Sequence, residues 1–497
     1  MTLSEVPFSV GELLFIGGYL LSLLGIGWLG MRARTENSLR DFYLGGRGIG
    51  FLVLLMTLYA TQYSGNTLFG FTGKTYRIGF RWAVCIHFMT AIVVFYLLFA
   101  PKLYRVARQH RFITPADYIQ HRFGSRGLSL MATGIMVIGL ANYLLAQLMA
   151  MGRALEGFTP QEREWSYIIG VMVLAAIIVV YETLGGFRAV AWTDLIQGGV
   201  LIIGFAVLVF LLFDHFGSLD AATRKLMTIA PEKVAPPNTK QACEWVSWIF
   251  LVGIGGALYP QAIQRIYAAK SATSLRKSLA IMAFLPLTTT LIAVIFGVVA
   301  AANPSSVTGE GDEVLALVCR EIQQQSPVGR WLVVVLFAGI LAALMSTADS
   351  VLLCISSMLT KDVYAVIYPN AQQQQLTRFG KICSWVLILL AVGLAIALRE
   401  VTLVKLLKIK FELLLQLTPA FFIGIHWRGL QARPVTVGLM LGVVVAVALT
   451  LTGHNQLFGV HAGLYGLVVN LAAAVGGSLV FAELGRKGQS TGTSLEQ

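Results

Sequence analysis

The sequence predicts an all-α polytopic membrane protein of about thirteen transmembrane helices. Three observations carry that prediction. Hydrophobic residues make up 57% of the chain and charged residues only 12%, about half the charged share of a soluble domain. Apolar runs long enough to cross a bilayer recur from one end to the other. The basic residues behind the formal net charge of +13 gather in short segments between those runs, which is the pattern of cytoplasmic membrane loops rather than of a nucleic-acid surface.

The runs fall near residues 10–30, 50–73, 82–104, 127–152, 165–181, 190–213, 244–264, 279–301, 329–358, 379–398, 403–425, 434–452 and 460–482. Hydrocarbon leaves no partner for free peptide groups, so each run must be helical, even the β-branched Ile177, Ile178, Val179 and Val180. The start of the chain lacks a basic region, so the first run reads as a span rather than a cleaved signal. Arg32, Arg34, Arg40 and Arg47 follow the first span, and Lys102, Arg105 and Arg108 follow the third. Arg265, Lys270 and Arg276 follow the seventh. This asymmetry predicts a periplasmic N-terminus and a cytoplasmic C-terminus in a bacterial inner membrane. Lys74, Arg77 and Arg81 violate the rule. One membrane domain is expected over residues 1–485, with a polar cytoplasmic tail over 486–497.

Two spans are interrupted. The second contains Thr61, Gln62, Tyr63, Ser64, Gly65, Asn66 and Thr67, and the seventh contains Gly253, Gly255 and Gly256 ahead of Pro260. With the first span peripheral, these open two five-span units, near 50–213 and 244–425. The helices at 10–30, 434–452 and 460–482 then lie outside the repeats. Interrupted helices at matching positions in two halves point to the binding site of a secondary transporter.

The ninth span adds Ser346, Asp349 and Ser350 at helical spacing, so three hard oxygen donors share one face, with Thr347 one step around. Single hydroxyls in a membrane helix commonly bond back to their own backbone. A carboxylate there demands a partner or a cation. Asp194 opens the sixth span, where it can cap amides, pair with Arg188, or hold an ion. The lone His87 has no metal-ligand company, and the five Cys show no ligand or disulfide spacing. No ATP-binding loop, zinc motif or nucleophile arrangement is evident, so no enzyme activity is expected.

These residues resemble the sodium:solute symporter family over nearly the whole chain. The resemblance is carried by Phe42 to Arg47, Ala60 to Gly70, Gly185 to Asp194, and Leu341 to Ser350. It implies an inverted five-plus-five repeat and alternating access. It also implies Na+ held by carbonyls of Ala60, Tyr63 and Ala343 and hydroxyls of Ser346 and Thr347. A second cation or proton site would fall at Asp194, Ser346, Asp349 and Ser350. The solute would lie near Gln62, Asn66, Tyr143, Gln147 and Gly256.

Gln62 stands where proline transporters carry an acid, and Asn66 where they carry Trp. The segment Gly73 to Trp82 looks closer to the pantothenate and monocarboxylate branches. The expected activity is sodium-coupled symport of a small organic solute, a carboxylate such as pantothenate or a monocarboxylate. The alternatives are an amino-acid symporter and the transporter-like sensory module of a membrane histidine kinase, fused or partnered. The lipid bilayer is the expected surrounding, and no nucleic acid is expected.

Overall fold

In a computed structural model the described residues are 9–34, 36, 38–158, 163–304, 307, 311–323 and 327–482. The tail expected over 486–497 lies outside them. The helices run in the order α1 (Val10–Arg32), α2 (Leu39–Leu44), α3 (Phe51–Gln62), α4 (Phe71–Ile78), α5 (Val84–His110), α6 (Pro115–Phe123), α7 (Arg126–Phe158) and α8 (Arg163–Phe216). There follow α9 (Leu219–Ile229), α10 (Thr239–Ala257), α11 (Pro260–Ala268), α12 (Ala272–Met282), α13 (Pro286–Ala302) and α14 (Val314–Gln323). The chain continues through α15 (Pro327–Met358), α16 (Ala365–Ile367), α17 (Gln373–Ala397), α18 (Leu403–Leu414), α19 (Ala432–Leu451) and α20 (Ala462–Leu471). Among the described residues a two-stranded hairpin, Gln456–Leu457 with Val460–His461, joins the last two long helices.

Nine helical stretches among the described residues are long and apolar enough to cross a membrane, or ten with the bent pair α10–α11 taken as one span. That corrects the expected thirteen. Two expected runs lie end to end in α8, whose helical dihedrals break only at Gly186 (φ 61°, ψ −154°). A Cβ there would sit 2.6 Å from the Phe42 carbonyl oxygen, so only glycine makes this bend against α2. The expected runs 50–73 and 403–425 are each broken into pieces too short to span alone, α3 at 12 residues and α18 at 12.

α15 is the central helix. Its most apolar stretch is 83% buried, against 22% for α1 at the periphery. The Gly45–Arg47 turn that enters the first interrupted helix uses left-handed dihedrals at all three residues. Arg47 fixes it by donating to the carbonyls of Ala107 (3.3 Å) and Phe112 (2.7 Å). The next residues tie to the end of the second interrupted helix, where Lys270 N–H donates to the Ile49 carbonyl at 2.8 Å.

The segment Gly311–Glu313 anchors the start of α18. Asp312 Oδ2 accepts the Leu403 N–H at 2.8 Å, filling a cap that Thr402 leaves unfilled. Burial raises the Asp312 pKa above 3.8, with the Leu403 amide and Arg77 opposing. A raised folded value means that the protonated form is favoured on folding. Its stabilisation is therefore full at low pH and lost as pH rises through the folded value. Asp312→Asn keeps the acceptor and removes the charge. The melting-temperature difference between variant and wild type in detergent should be near zero at acid pH and grow in the variant's favour toward neutrality. A pH-independent difference refutes this.

Candidate functional site

The first break is wedged between α7 and α15. Past Gln62 the chain is extended at Tyr63 (φ −96°, ψ 107°) and resumes as a π-helical turn, Asn66–Gly70. A Cβ on Gly65 would lie 2.4 Å from Ala150 Cβ and 2.7 Å from Leu344 Cδ2, so the segment approaches both neighbours too closely for a side chain. Side chains take up peptide groups that the break releases. Gly65 N–H donates to Gln147 Oε1 at 2.9 Å, and the Tyr143 hydroxyl donates to the Thr61 carbonyl at 3.4 Å.

From the opposite side Thr347 Oγ1 donates to the Ala60 carbonyl at 3.2 Å. Two of the five expected sodium ligands are thus neighbours, one from the broken helix and one from α15. Ala343, Ser346 and Thr347 lie on the same stretch of α15, and Tyr63 lies in the break; all are buried. Neutral hard oxygens from a break and a facing helix suit an alkali cation. The Ser346 hydroxyl instead donates to Asp194 Oδ1, joining it to the second cluster.

That cluster contains a residue the sequence reading assigned to a cytoplasmic loop. Arg265, on α11, is 1% exposed, and its guanidinium reaches Asp194 Oδ2 at 3.1 Å. It also donates to Thr57 Oγ1 at 2.7 Å, to the Gln261 carbonyl at 3.1 Å and to the Ser350 hydroxyl. Thr57 also donates to Asp194. Asp349 accepts from the Tyr181 hydroxyl and, at 3.2 Å, from Ser350. The four expected residues do meet, with a fixed guanidinium among them. Arg188, the partner weighed for Asp194, pairs with Asp41 at 2.8 Å instead.

The expected solute residues divide. Tyr143 and Gln147 meet the break directly, and Gln62 lies at its edge, 5% exposed. Asn66 is 1% exposed, and neither polar atom of its amide has a hydrogen-bond partner among the described residues. Gly256 is spoken for: its carbonyl accepts from Tyr96 at 3.1 Å, and a Cβ there would sit 2.6 Å from Ile92 Cδ1. It serves as a close-packing position of α10. Sequence reasoning missed Lys410, a buried lysine of α18 beside Tyr143. An ionisable residue inside the run 403–425 was the available signal.

The model of the sodium:solute symporter family matches residues 42–442. The chain belongs to this family. It is a transporter, not an enzyme, and its activity is sodium-coupled secondary active symport of a small organic solute. The osmoregulated proline transporter OpuE of Bacillus subtilis (strain 168) is 24% identical over 477 residues, covering 94% of each chain. The sodium/pantothenate symporter of Escherichia coli (strain K12) is 26% identical over 473 residues, covering 93% of this chain and 94% of that one. Proline and pantothenate relatives match about equally well, so the expected lean toward the pantothenate branch is not upheld. A solved structure of a Na+-coupled sialic acid symporter, described as a substrate-bound outward-open state, superposes with a TM-score of 0.79. It covers 94% of this chain and 98% of that one at 18% identity, a likeness of fold. This symporter is thus a multi-pass membrane protein with bacterial relatives.

Proposed function

We propose that this symporter carries a small carboxylate into the cell with sodium bound by Ala60, Tyr63, Ala343, Ser346 and Thr347. One observation supports the reading most: the Thr347 hydroxyl of α15 meets the Ala60 carbonyl at the edge of the broken helix. Alternating access then works by moving α15 relative to the break, which assembles or separates the ligands. The two five-helix units, an inner-membrane location and an outward N-terminus belong to the same proposal. Nearly full coverage of curated transporters favours transport over a sensory role. In the second cluster Arg265 is the fixed cation, and Asp349 is the group left for an exchangeable cation, a proton or a sodium ion.

The test is uptake into proteoliposomes with only the external cation varied. Sodium should drive accumulation and move net positive charge inward, while N-methylglucamine should not. Equal uptake in both removes the reading. A thermal-shift screen of pantothenate, pyruvate, lactate and proline, each with and without sodium, finds the solute. Asn66→Ala should then weaken binding of the best ligand severalfold, since its unpaired amide lies in the break. Unchanged affinity and selectivity place Asn66 outside the site.

A further inference from the structure

Lys410 is the one buried lysine of the described interior whose ammonium finds no hydrogen-bond partner among the described residues. Its Nζ lies 3.0 Å from the centroid of the Tyr143 ring and 4.9 Å from those of Tyr259 and Phe411. Tyr143 and Tyr259 stack at 5.2 Å, and Tyr259 stacks on Phe411 at 5.3 Å. The aromatic faces attract the charge, but they leave the three N–H donors of an ammonium without oxygen acceptors. Burying such a group unpaired is costly, and in membrane helices ionisable residues mark substrate pathways.

The position matters as much as the chemistry. Tyr259 stands in the break between α10 and α11, which bend by 46°. Tyr143 donates to Thr61 at the break after α3. Lys410 therefore sits beside an aromatic pair that reaches both breaks, and Tyr143 links its cage to Thr61, the neighbour of the Ala60 whose carbonyl accepts from Thr347. Beside it on α18, Lys405 and Lys408 line a cleft of about 490 Å³ with Lys74 and Arg77, against the acids Glu244 and Glu412. Four cations to two acids attract anions toward the turn of α18 that bears Lys410.

We propose that Lys410 is the anchor for the solute's negative charge: a carboxylate of a small organic anion accepts the hydrogen bonds of its ammonium while the Tyr143 and Tyr259 rings flank it. This inference rests on the symport reading and names the group that would make it selective for anions. It also gives Lys74, Arg77, Lys405 and Lys408 a role in gathering the solute rather than in orienting the chain.

The probes are pantothenate, pyruvate, lactate and propionate, with lactamide and propionamide as uncharged counterparts, measured by sodium-dependent thermal stabilisation and by competition. At least one carboxylate should bind the wild type tenfold or more tightly than its amide. Lys410→Met should erase that preference and weaken carboxylate binding at least tenfold, while the melting temperature without solute holds or rises, because no ion pair is broken. Lys410→Arg, which keeps the charge, should retain a preference for the carboxylate. Stabilisation by amides as readily as by acids, or by no carboxylate of the set, overturns the assignment. So does a Lys410→Met protein that binds the carboxylate as wild type does. In that last case sodium-dependent uptake still stands and only the anchor falls; loss of sodium dependence in the wild type fells the symport reading itself.

Discussion

Thr347→Val should weaken sodium activation of uptake about 10- to 100-fold, the equivalent of ~1.5–3 kcal/mol for one hydrogen-bonding group facing a charge. Valine keeps the shape and removes only the hydroxyl. That hydroxyl is within 3.2 Å of the Ala60 carbonyl, so the two oxygens can face one small cation together. Ser346→Ala should cost less in sodium affinity and more in stability, because its hydroxyl donates to Asp194. Removing it leaves a buried carboxylate short of a donor. The double variant should lose sodium stimulation nearly altogether while still reaching the membrane. The measurement is half-maximal sodium concentration in proteoliposomes, with folded protein quantified by size-exclusion chromatography. A Thr347→Val half-maximum within threefold of wild type would remove this residue from the ion site.

The membrane class, the positions of the breaks and the Ser346–Ser350 face were legible in the sequence for simple reasons. Apolar length, polar residues inside a span and helical periodicity are all local properties. The number of spans was not, since it turns on whether a chain bends or breaks at one residue. Gly186 looks in sequence like any membrane glycine; its positive φ, and the Phe42 carbonyl that leaves no room for a Cβ, show only in the fold. Arg265 shows the same limit more sharply. Counted with Lys270, Arg276 and Lys277 it reads as loop charge. A sharp bend at Tyr259 and a further helix, α11, instead turn it into the core. Asp194 sat in plain view, but its cation lies 71 residues away and no spacing rule joins them. Lys410 was legible as an intramembrane lysine, while its aromatic cage is assembled from α7, α18 and the second break.

Asp194 and Asp349 should behave oppositely when neutralised. Two carboxylates and one guanidinium leave a single unmatched negative charge if both acids are ionised. Arg265 is committed to Asp194 at 3.1 Å and has three further acceptors around it. Among the described residues Asp349 accepts hydrogen bonds only from the hydroxyls of Tyr181 and Ser350. Its other ionisable neighbours are Asp194, Arg265 and the Tyr19 phenol. Asp194→Asn should therefore strand the guanidinium and destabilise the protein by about 3–5 kcal/mol, the usual cost of breaking one side of a buried pair. Arg265→Met should do the same, and the two changes together should recover most of the loss. Asp349→Asn strands no cation and should leave stability near that of wild type. Its effect belongs to ion binding: a proton on Asp349 and a sodium ion compensate the same charge, so they compete. On the acid side, sodium affinity in the wild type should fall toward the limit of about tenfold per pH unit for one-for-one exchange. In Asp349→Asn it should be flat. Sodium-dependent thermal shifts measured across pH for wild type, Asp349→Asn and the Asp194→Asn/Arg265→Met pair separate the roles. If the slope survives in Asp349→Asn, the exchangeable charge is elsewhere and this carboxylate only holds α8 to α15 through Tyr181.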